Sequence, residues 1–197
     1  MLRLSEQERR DYIAKYAAKI FAEKGYQIAS LQDIASKAGI SKAGVYHYFK
    51  TKEEILAYVL IKKTDDLFIE MKKRVKESYG QKLNQEESLR KLILAYANII
   101  NKDRDFRGIV LRERHQLTGI NKQKLLKKEQ AIFHLIKDEL KKVHAVGKHI
   151  DPNVTTFLII AMCHWLGYWF KEKKKFDLES IIEQNIEVIL RGILNEH

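Results

Sequence analysis

The sequence predicts an all-α protein with about nine helices. Proline occurs once in the 197 residues and glycine nine times, so few positions would interrupt a helix. Lysine, glutamate, leucine and alanine are abundant, and all four are strong helix formers. Apolar residues recur every three or four positions rather than every second one, which is the period of an amphipathic helix and not of a strand. We therefore expect no β-sheet in this chain.

Three short helices are predicted in the N-terminal part of the chain, because each has a capping side chain at its start. The capping hydroxyls belong to Ser5, Ser30 and Ser41. The predicted ends of these helices are Gly25, Gly39 and Tyr48. Glu8 stands three residues after Ser5, which is the spacing of a capping box. Glycine after a last helical turn lets the chain reverse, so the three helices can pack on one another.

The remainder of the chain predicts a set of longer helices. Thr51 and Glu54 form another capping box, and Asp151 followed by Pro152 is typical of a helix start. The predicted ranges are 52–79, 87–101, 103–117, 121–144, 153–173 and 178–194. These helices carry enough apolar residues for a body larger than the N-terminal unit. We place the division between an N-terminal three-helix head, residues 1–52, and a helical body, residues 53–197.

The charge of the chain is the first functional signal. The formal net charge is +11 and the pI is near 9.5. A strongly basic balance is typical of proteins that meet a polyanion, either nucleic acid or an anionic membrane surface. It also occurs in lysine-rich proteins with no such partner, so charge alone leaves the choice open. The N-terminus has no apolar signal segment and residues 154–170 are shorter than a membrane span, so we expect a cytoplasmic protein without a membrane partner.

Cysteine and histidine positions give no sign of a metal or redox site. Cys163 is the only cysteine and lies in an apolar run, which predicts a buried thiol in a reducing compartment. Metal-ligand spacing is missing among His134, His144, His149 and His164. No phosphate loop, nucleophile elbow or Glu-x-x-His pair occurs, so we expect no metal, no cofactor and no catalysis. A helical-bundle enzyme is the least favoured alternative.

The segment from Ser30 to Phe49 has the features of a helix-turn-helix. Its first helix places Ile34 and Ala35 on one apolar face, and Gly39 lets the chain reverse. Its second helix is short and carries few bulky groups at its start, so it can enter a major groove about 12 Å wide. The exposed positions of that helix are Lys42, Ala43, Gly44 and His47. We expect this second helix to approach base edges.

About the first 60 residues resemble the TetR family of bacterial transcriptional regulators. The likeness rests on an ordered series of short motifs rather than on the helix-turn-helix alone. The motifs are Gly25-Tyr26, Ser30, Asp33-Ile34-Ala35, Ala38-Gly39, Ser41-Lys42, Tyr46-His47-Tyr48-Phe49 and Lys50-Thr51-Lys52-Glu53. The resemblance implies a repressor that binds a near-palindromic operator as a homodimer and is released by a small molecule.

The resemblance also implies which side chains meet DNA. Ser30 and Thr51 are expected at helix N-termini, where their hydroxyl groups can bind phosphate oxygens. Ser41 caps the helix that enters the groove. Further contacts with the DNA backbone are expected from Tyr46, Tyr48 and Lys52. Contacts with base edges or with nearby phosphates are expected from Lys42 and His47, with Ala43 and Gly44 allowing close approach. Phe49 is expected to pack in the core, whereas Arg3, Arg9 and Arg10 either reach a flanking groove or belong to a solvated tail.

The last two predicted helices carry more apolar surface than one small chain covers. The stripe along the last helix is Leu178, Ile182, Ile186, Ile189 and Ile193. Residues 154–170 are apolar on almost every side. In TetR-type proteins these two helices pair with their counterparts, so the resemblance implies a homodimer through residues 154–173 and 178–194. Burial of the same surface within a single chain is the alternative.

An effector pocket is expected in the helical body, which alone is large enough to enclose one. Candidate lining residues are Phe68, Met71, Tyr96, Met162, Trp165, Tyr168 and Trp169. Side chains of these types at helical spacing more often form ordinary core. Arg112 and His115 belong to a charged cluster that would either hold an anionic head group or form surface ion pairs.

The class of effector is a separate expectation. Residues 110–115 and 165–170 resemble the subgroup of the family that answers fatty acyl or other acyl-CoA thioesters. A multidrug or other hydrophobic effector is the competing expectation. In either case, bound ligand would favour a spacing of the two heads that cannot span adjacent major grooves. A nonspecific architectural DNA-binding protein is the main alternative function, since it would share the basic charge but bind without sequence preference.

Overall fold

The computed structural model describes residues 5–143, 147, 150–169 and 177–193, and every regular element within these ranges is helical. The α-helices are α1 Glu6–Lys24, α2 Leu31–Ala38, α3 Lys42–Tyr48, α4 Lys52–Gly80, α5 Gln85–Lys102, α6 Arg104–Glu113, α7 Gly119–Lys142, α8 Pro152–Trp169 and α9 Leu178–Ile193. A short 3₁₀ helix, Arg114–Gln116, lies between α6 and α7. The predicted all-α class is confirmed.

The chain packs as two compact units. The first unit contains Met1–Thr64 and Asp105–Lys127, and the second contains Asp65–Arg104 and Lys128–His197. Helices α4 and α7 each contribute residues to both units. Packing therefore groups most of α6 and the start of α7 with the N-terminal helices, whereas the sequence predicts a division after residue 52. The predicted division concerns function rather than packing, and it stays a prediction.

The core of the first unit is built around α1, α2 and α3. Ser5 and Ser30 form capping boxes at the starts of α1 and α2, and Gly39 takes a left-handed φ of 65° at the end of α2. The side chains buried in this core include Ile13, Ala17, Phe21, Ile34, Ala35, Val45 and Phe49. The small side chains of Ala17 and Ala35 leave room for close helix packing. Local capping and a shared apolar core thus place the helix-turn-helix.

The helix predicted over residues 103–117 is interrupted near its end. Helix α6 stops at Glu113, the 3₁₀ turn follows, and α7 starts at Gly119. The amide of Thr118 donates to the Glu53 carboxylate at 3.1 Å, so it makes a tertiary hydrogen bond where a continuous helix would use a carbonyl of its own. A residue of α4 therefore holds the segment between α6 and α7, and the local sequence pattern does not show this contact.

The core of the second unit lies among α5, α8 and α9 with parts of α4 and α7. Helix α5 begins at Gln85 rather than at residue 87, because Asn84 caps it by accepting the amide of Glu87 at 2.8 Å. The buried side chains include Leu67, Met71, Leu89, Leu92, Ile93, Tyr96, Ile136, Ile159, Ile182 and Ile186. Cys163 is buried there as predicted, and burial raises the pKa of its thiol to about 12. The thiol is therefore protonated at neutral pH.

Candidate nucleic-acid interface

Helices α2 and α3 form the helix-turn-helix predicted from the sequence. The turn is made at Gly39, whose amide donates to the carbonyls of Ala35 and Ser36 in α2. Ser41 then caps α3 by accepting the amide of Gly44 at 3.0 Å. Because these bonds are all local, the stop of α2 and the start of α3 are determined by residues within the motif.

Helix α3 has one buried and one exposed face. Val45 and Phe49 are fully buried and anchor α3 in the core of the first unit. The exposed side chains are Lys42, Ala43, Tyr46 and His47, while Gly44 and Tyr48 are half-buried. Helix α3 contains no acidic residue, so its exposed face is polar and basic. The small residues Ala43 and Gly44 leave room for a close approach to DNA beside Lys42.

The three predicted hydroxyl groups differ in what they already bind. Ser30 donates its hydroxyl to the Asp33 carboxylate at 2.7 Å. Hydrogen bonds from Lys24 and Ser30 lower the pKa of Asp33 to about 2, so a negative charge stands beside Ser30. Ser41 and Thr51 each accept a backbone amide at 3.0 Å and donate to no group in the part of the chain that the structure describes. Ser41 and Thr51 are therefore better placed than Ser30 to donate to a phosphate.

The aromatic and basic side chains of α3 form two pairs. Tyr46 is 43% exposed, and the Lys42 ammonium lies 5.9 Å from the centroid of its ring. The rings of His47 and Tyr48 meet edge to face with centroids 4.7 Å apart. The predicted DNA-contacting residues of α3 are thus brought together on one short helix.

Arg10 takes a different place from either of the two expected for it. Its guanidinium donates to the Tyr48 carbonyl at 2.8 Å and to the Glu54 carboxylate at 3.3 Å. The same group lies 4.3 Å above the ring of Phe49. A cation at the carboxyl end of α3 satisfies a terminal carbonyl and is covered by an aromatic face. Arg10 therefore holds α3 in place, while Arg3 lies outside the described residues.

Lys52 stands at the start of α4 and faces the α1–α2 turn, residues 25–30. Its ammonium donates to the carbonyls of Tyr26, Gln27 and Ala29 at 2.6, 3.1 and 2.7 Å. It also lies 4.5 Å from the centroid of the Tyr26 ring. An ammonium group has three N–H bonds, and all three have acceptors here. The predicted contact of Lys52 with DNA stays a prediction, and it would require at least one of these hydrogen bonds to be exchanged.

The predicted effector-binding residues are divided between the two units. Arg112 and His115 belong to the first unit and are exposed, and Arg112 donates to the carbonyl of Ala22 at 3.1 Å. The second unit contains Phe68, Met71, Tyr96, Met162 and Trp165. The side chains of Tyr168 and Trp169 lie outside the described residues. The structure therefore describes a shared environment only for the members of the second unit.

Within the second unit, these residues range from buried to exposed. Met71 and Tyr96 are buried in its core. Phe68 and Met162 are partly exposed and pack against that core. Trp165 is exposed. The Tyr96 hydroxyl lies 2.9 Å from His164 Nε2, and burial raises the pKa of Tyr96 well above its ordinary value. A neutral, hydrogen-bonded phenol thus stands inside a mainly apolar core, which also holds the buried amide side chain of Asn101.

An exposed apolar stripe runs along α8. Val154, Phe157, Leu158 and Trp165 expose between 53% and 65% of their surfaces. Their spacing of three or four residues and then seven places them on one face of the helix. On α9, Val188 is also 65% exposed. Large apolar side chains concentrated along one helix face are typical of interaction surfaces and ligand-binding grooves.

Two kinds of feature are missing from the described residues. No helix among them is long and apolar enough to cross a membrane. No group of three or more histidine, cysteine, aspartate or glutamate side chains among them could hold a metal ion. His144 and His149 lie outside these ranges.

A glycine turn followed by a short helix with an exposed basic face defines a helix-turn-helix DNA-binding protein. Two family models match the chain. The model for bacterial regulatory proteins of the tetR family matches residues 13–59, and the model for the tetracyclin repressor-like C-terminal domain matches residues 82–193. The second match alone covers more than half of the 197 residues. The chain belongs to the TetR family of transcriptional regulators.

Individual relatives agree with this assignment. The HTH-type transcriptional repressor KstR2 of Mycobacterium tuberculosis (strain CDC 1551 / Oshkosh) is 34% identical over 95% of this chain and 94% of its own length. The structure of AibR in complex with isovaleryl coenzyme A and operator DNA superposes with a TM-score of 0.82 at 23% identity, covering 92% of this chain and 97% of that one. FadR from Bacillus subtilis in complex with stearoyl-CoA superposes with a TM-score of 0.77 at 22% identity, covering 93% and 98%. At these identities the two superpositions show the shared fold alone.

Proposed function

We propose that the protein is a ligand-responsive repressor that binds a near-palindromic operator as a homodimer. The observation that carries the DNA part of this proposal is the exposed face of α3, where Lys42, Tyr46 and His47 stand clear of the core. The hydroxyls of Ser41 and Thr51 lie at the starts of α3 and α4, where donors suit phosphate oxygens. The protein acts by binding rather than by catalysis.

The proposed contacts fall into classes that can be measured separately. We assign Lys42 and His47 to base edges, since they are exposed on α3 next to small residues. Tyr46, Tyr48 and Thr51 are assigned to phosphates. Ser30 and Lys52 remain in the proposed set, but both already bind protein groups. Their contribution to DNA affinity is therefore expected to be smaller than that of Lys42.

The exposed stripe on α8 supports the homodimer. Burial of a large apolar side chain contributes about 1.5–3 kcal/mol, and a symmetric interface counts each residue of the stripe twice. Phe157, Leu158 and Trp165 therefore favour association strongly if α8 meets its counterpart. We propose an interface of four helices, formed by α8 and α9 of both subunits. Two heads in such a dimer would bind two half-sites, which explains a near-palindromic operator.

We propose an acyl-CoA thioester as the effector. AibR and FadR, which share the fold, are described with isovaleryl coenzyme A and stearoyl-CoA respectively. The second unit has a mainly apolar core that contains the Tyr96–His164 hydrogen bond, and such a combination of apolar side chains with a few polar groups is suited to an effector with a long apolar part. We propose Phe68, Tyr96 and Met162 as residues that line the effector site, because they lie in this core or pack against it. Another hydrophobic effector is the competing proposal.

The proposed mechanism is a shift between two arrangements of the dimer. Ligand that binds more tightly to the arrangement unable to span adjacent grooves lowers the affinity for the operator. The loss is limited by the difference between the two ligand affinities, and a 100-fold difference corresponds to about 2.7 kcal/mol. The cytoplasm is the proposed location of this regulation, since a bacterial operator-binding protein acts where the DNA lies.

The proposal is tested by selecting duplexes from a random pool with the purified full chain, and then measuring affinity for the selected duplex by gel shift. Affinity is measured without ligand and with isovaleryl-CoA, stearoyl-CoA or free coenzyme A. Lys42→Ala is compared with Lys76→Ala, a matched loss of an exposed lysine on α4. We expect a near-palindromic duplex, weaker binding by Lys42→Ala alone, and release by one thioester but not by free coenzyme A.

Each part of the proposal has its own contrary result. Salt-sensitive binding without enrichment of any sequence would replace the repressor by an architectural DNA-binding protein. Enrichment of a sequence whose binding ignores both thioesters would reject this effector class and keep the DNA-binding assignment. Tighter binding in the presence of a thioester would make the effector a corepressor instead of an inducer.

A further inference from the structure

The carboxyl end of α6 is bonded to the carboxyl end of α1 through Arg112. Its Nη2 donates to the carbonyl of Ala22 at 3.1 Å, and its Nε donates to the carbonyl of Gly108 at 3.2 Å. The guanidinium therefore folds back along α6 and crosses to the last turn of α1. Carbonyls at a helix end lack partners within the helix, so a cation with fixed donor geometry is well suited to bind one.

Gly108 provides the space for this geometry. A Cβ placed on Gly108 would lie 3.1 Å from Arg112 Nη2, which is tighter than an ordinary van der Waals contact. With a side chain at this position, the guanidinium group that reaches Ala22 would have to shift by a few tenths of an ångström. Glycine inside a helix costs about 1 kcal/mol relative to alanine, so its presence within α6 has a local cost and requires a reason.

Glu113, the next residue, binds the turn that follows α1. Its side chain is only 7% exposed, and Oε1 accepts the backbone amide of Tyr26 at 3.2 Å. The Tyr26 carbonyl is bound in turn by Lys52, so both polar groups of this residue's backbone have side-chain partners. Gln27 and Gln116 add a hydrogen bond at 2.6 Å between the same two segments. A buried carboxylate is costly unless it is hydrogen-bonded, so the Tyr26 amide is a favourable partner for Glu113.

These contacts converge immediately before the helix-turn-helix. The α1–α2 turn ends at Ser30, which caps α2. Position and direction of the turn therefore set where α2 begins, and α3 follows α2 after the Gly39 turn. From the side of α4 the turn is held by Lys52, and from the side of α6 it is held by Glu113 with Arg112 beside it.

We propose that Arg112 and Glu113 are positioning residues for operator binding, and that Gly108 favours the Arg112 contact by leaving room for the guanidinium group. This inference rests on the proposed DNA-binding function, and it assigns Arg112 to the head instead of to an effector pocket. A change at the carboxyl end of α6 is expected to alter the placement of α2 and α3 without altering the side chains that meet DNA.

The test compares four variants of the full chain: Gly108→Ala, Glu113→Ala, Glu113→Gln and the control Gly80→Ala. A Cβ on Gly80 meets no atom within 4 Å, so the control adds the same methyl group in open space. The first measurement is amide hydrogen exchange at Tyr26 in the protein without DNA. The second is affinity for the selected duplex and for duplexes whose half-sites are one base pair closer together or farther apart.

Gly108→Ala separates positioning from stability. Alanine favours a helix over glycine, so this variant is not expected to melt at a lower temperature because of helix propensity. We expect faster exchange at the Tyr26 amide, affinity for the selected duplex reduced about 5- to 30-fold, and a weaker preference for the selected spacing. We expect Glu113→Ala to behave likewise and Glu113→Gln to remain near the parent protein, since its amide oxygen can still accept the Tyr26 N–H.

The inference is overturned if Gly108→Ala and Glu113→Ala keep both the parent exchange rate at Tyr26 and the parent spacing preference. It is also overturned if every loss of affinity is matched by a lower melting temperature with the spacing preference unchanged, because a purely structural role predicts that result. Failure of the proposed function would look different, since the parent protein would then select no duplex. The exchange measurement is independent of DNA and still decides whether Glu113 holds the turn.

Discussion

Helices α3 and α8 both present exposed faces, and the two faces have opposite chemistry. The face of α3 carries Lys42, Tyr46 and His47 and no acidic group. The face of α8 carries Phe157, Leu158 and other large apolar side chains. A basic polar face is well hydrated in the free protein and exchanges water and counterions for phosphates on binding. An apolar face has unfavourable hydration at all times, so it suits a permanent partner. The two chemistries suit the proposed reversible contact of α3 with DNA and the proposed lasting contact of α8 with a second subunit.

The largest expected effect comes from a charge on the apolar face. In Phe157→Asp, a carboxylate would be buried twice in the proposed symmetric interface, once from each subunit. Loss of two buried phenylalanines alone corresponds to about 3–6 kcal/mol, so the dimer dissociation constant should rise about 100- to 10,000-fold. Analytical ultracentrifugation measures this change directly, and operator affinity should fall with it.

Ile69→Asp is the matched control for that variant. Ile69 on α4 and Phe157 on α8 are both 65% exposed, so exposure alone would treat them alike. The Ile69 variant should remain a dimer, since its neighbours on α4 include Lys72, Lys73 and Lys76 rather than an apolar stripe. If the dimers of both variants dissociated equally, the α8 stripe would be no more important for dimerisation than an isolated exposed apolar residue.

The next largest effect is expected on the polar face. Lys42→Ala should weaken binding to the selected duplex by about 1–3 kcal/mol per half-site and change base preference, because it removes a base-edge contact. Its melting temperature should equal that of the parent, since Lys42 is exposed and supports no core residue. Competition gel shifts over single-base variants of the operator measure both quantities. Uniform weakening across all sequences would reassign Lys42 to a phosphate.

Lys52→Met should mainly lower stability, whereas Lys42→Ala should mainly lower DNA affinity. Removal of the ammonium leaves the carbonyls of Tyr26, Gln27 and Ala29 without their shared donor. We expect a loss of about 1–3 kcal/mol in stability, and a melting temperature lower by about 2–4 °C for each kcal/mol. Differential scanning calorimetry against Lys76→Met provides the comparison. An unchanged melting temperature with a large loss of DNA affinity would favour Lys52 as a direct phosphate contact.

The smallest expected effect is a pH dependence at the start of α2. The pKa of Asp33 is lowered to about 2 from its ordinary value of 3.8, by hydrogen bonds from Lys24 and Ser30. A carboxyl group whose pKa is lower in the folded state stabilises the fold above about pH 4, and that contribution is lost between about pH 4 and pH 2. The parent protein should melt at a higher temperature than Asp33→Asn at pH 6, and the gap should close as pH falls through this window. A gap that stays constant with pH would assign the effect to cap geometry and not to charge.

Much of the fold could be predicted because its signals are local. Ser5, Ser30 and Ser41 were predicted as caps, and each accepts an amide three residues ahead in the structure. The contact that holds the segment between α6 and α7 could not be predicted in this way, because Glu53 and Thr118 are 65 residues apart in the chain. Apolar periodicity continues past that point and gives no sign of the interruption.

The candidate site was predictable in its location but less so in the roles of its charged residues. Lys42, Tyr46 and His47 are exposed on α3, as a helix-turn-helix requires. Arg10 is also a basic residue near the motif, but its guanidinium group donates a hydrogen bond to the Tyr48 carbonyl. Whether such a cation meets DNA or protein depends on which carbonyls lie nearby after folding.

Helix starts, the glycine turn and the DNA-binding class follow from the amino-acid sequence, because a capping side chain and its amide are only three residues apart. The hydrogen-bond partners of Lys52, Arg112 and Glu113 were decided by tertiary structure alone. Lys52 meets carbonyls 23 to 26 residues away, and Glu113 meets an amide 87 residues away. Long, flexible charged side chains bind whatever polar groups the packed helices bring within reach, and no local pattern records that choice.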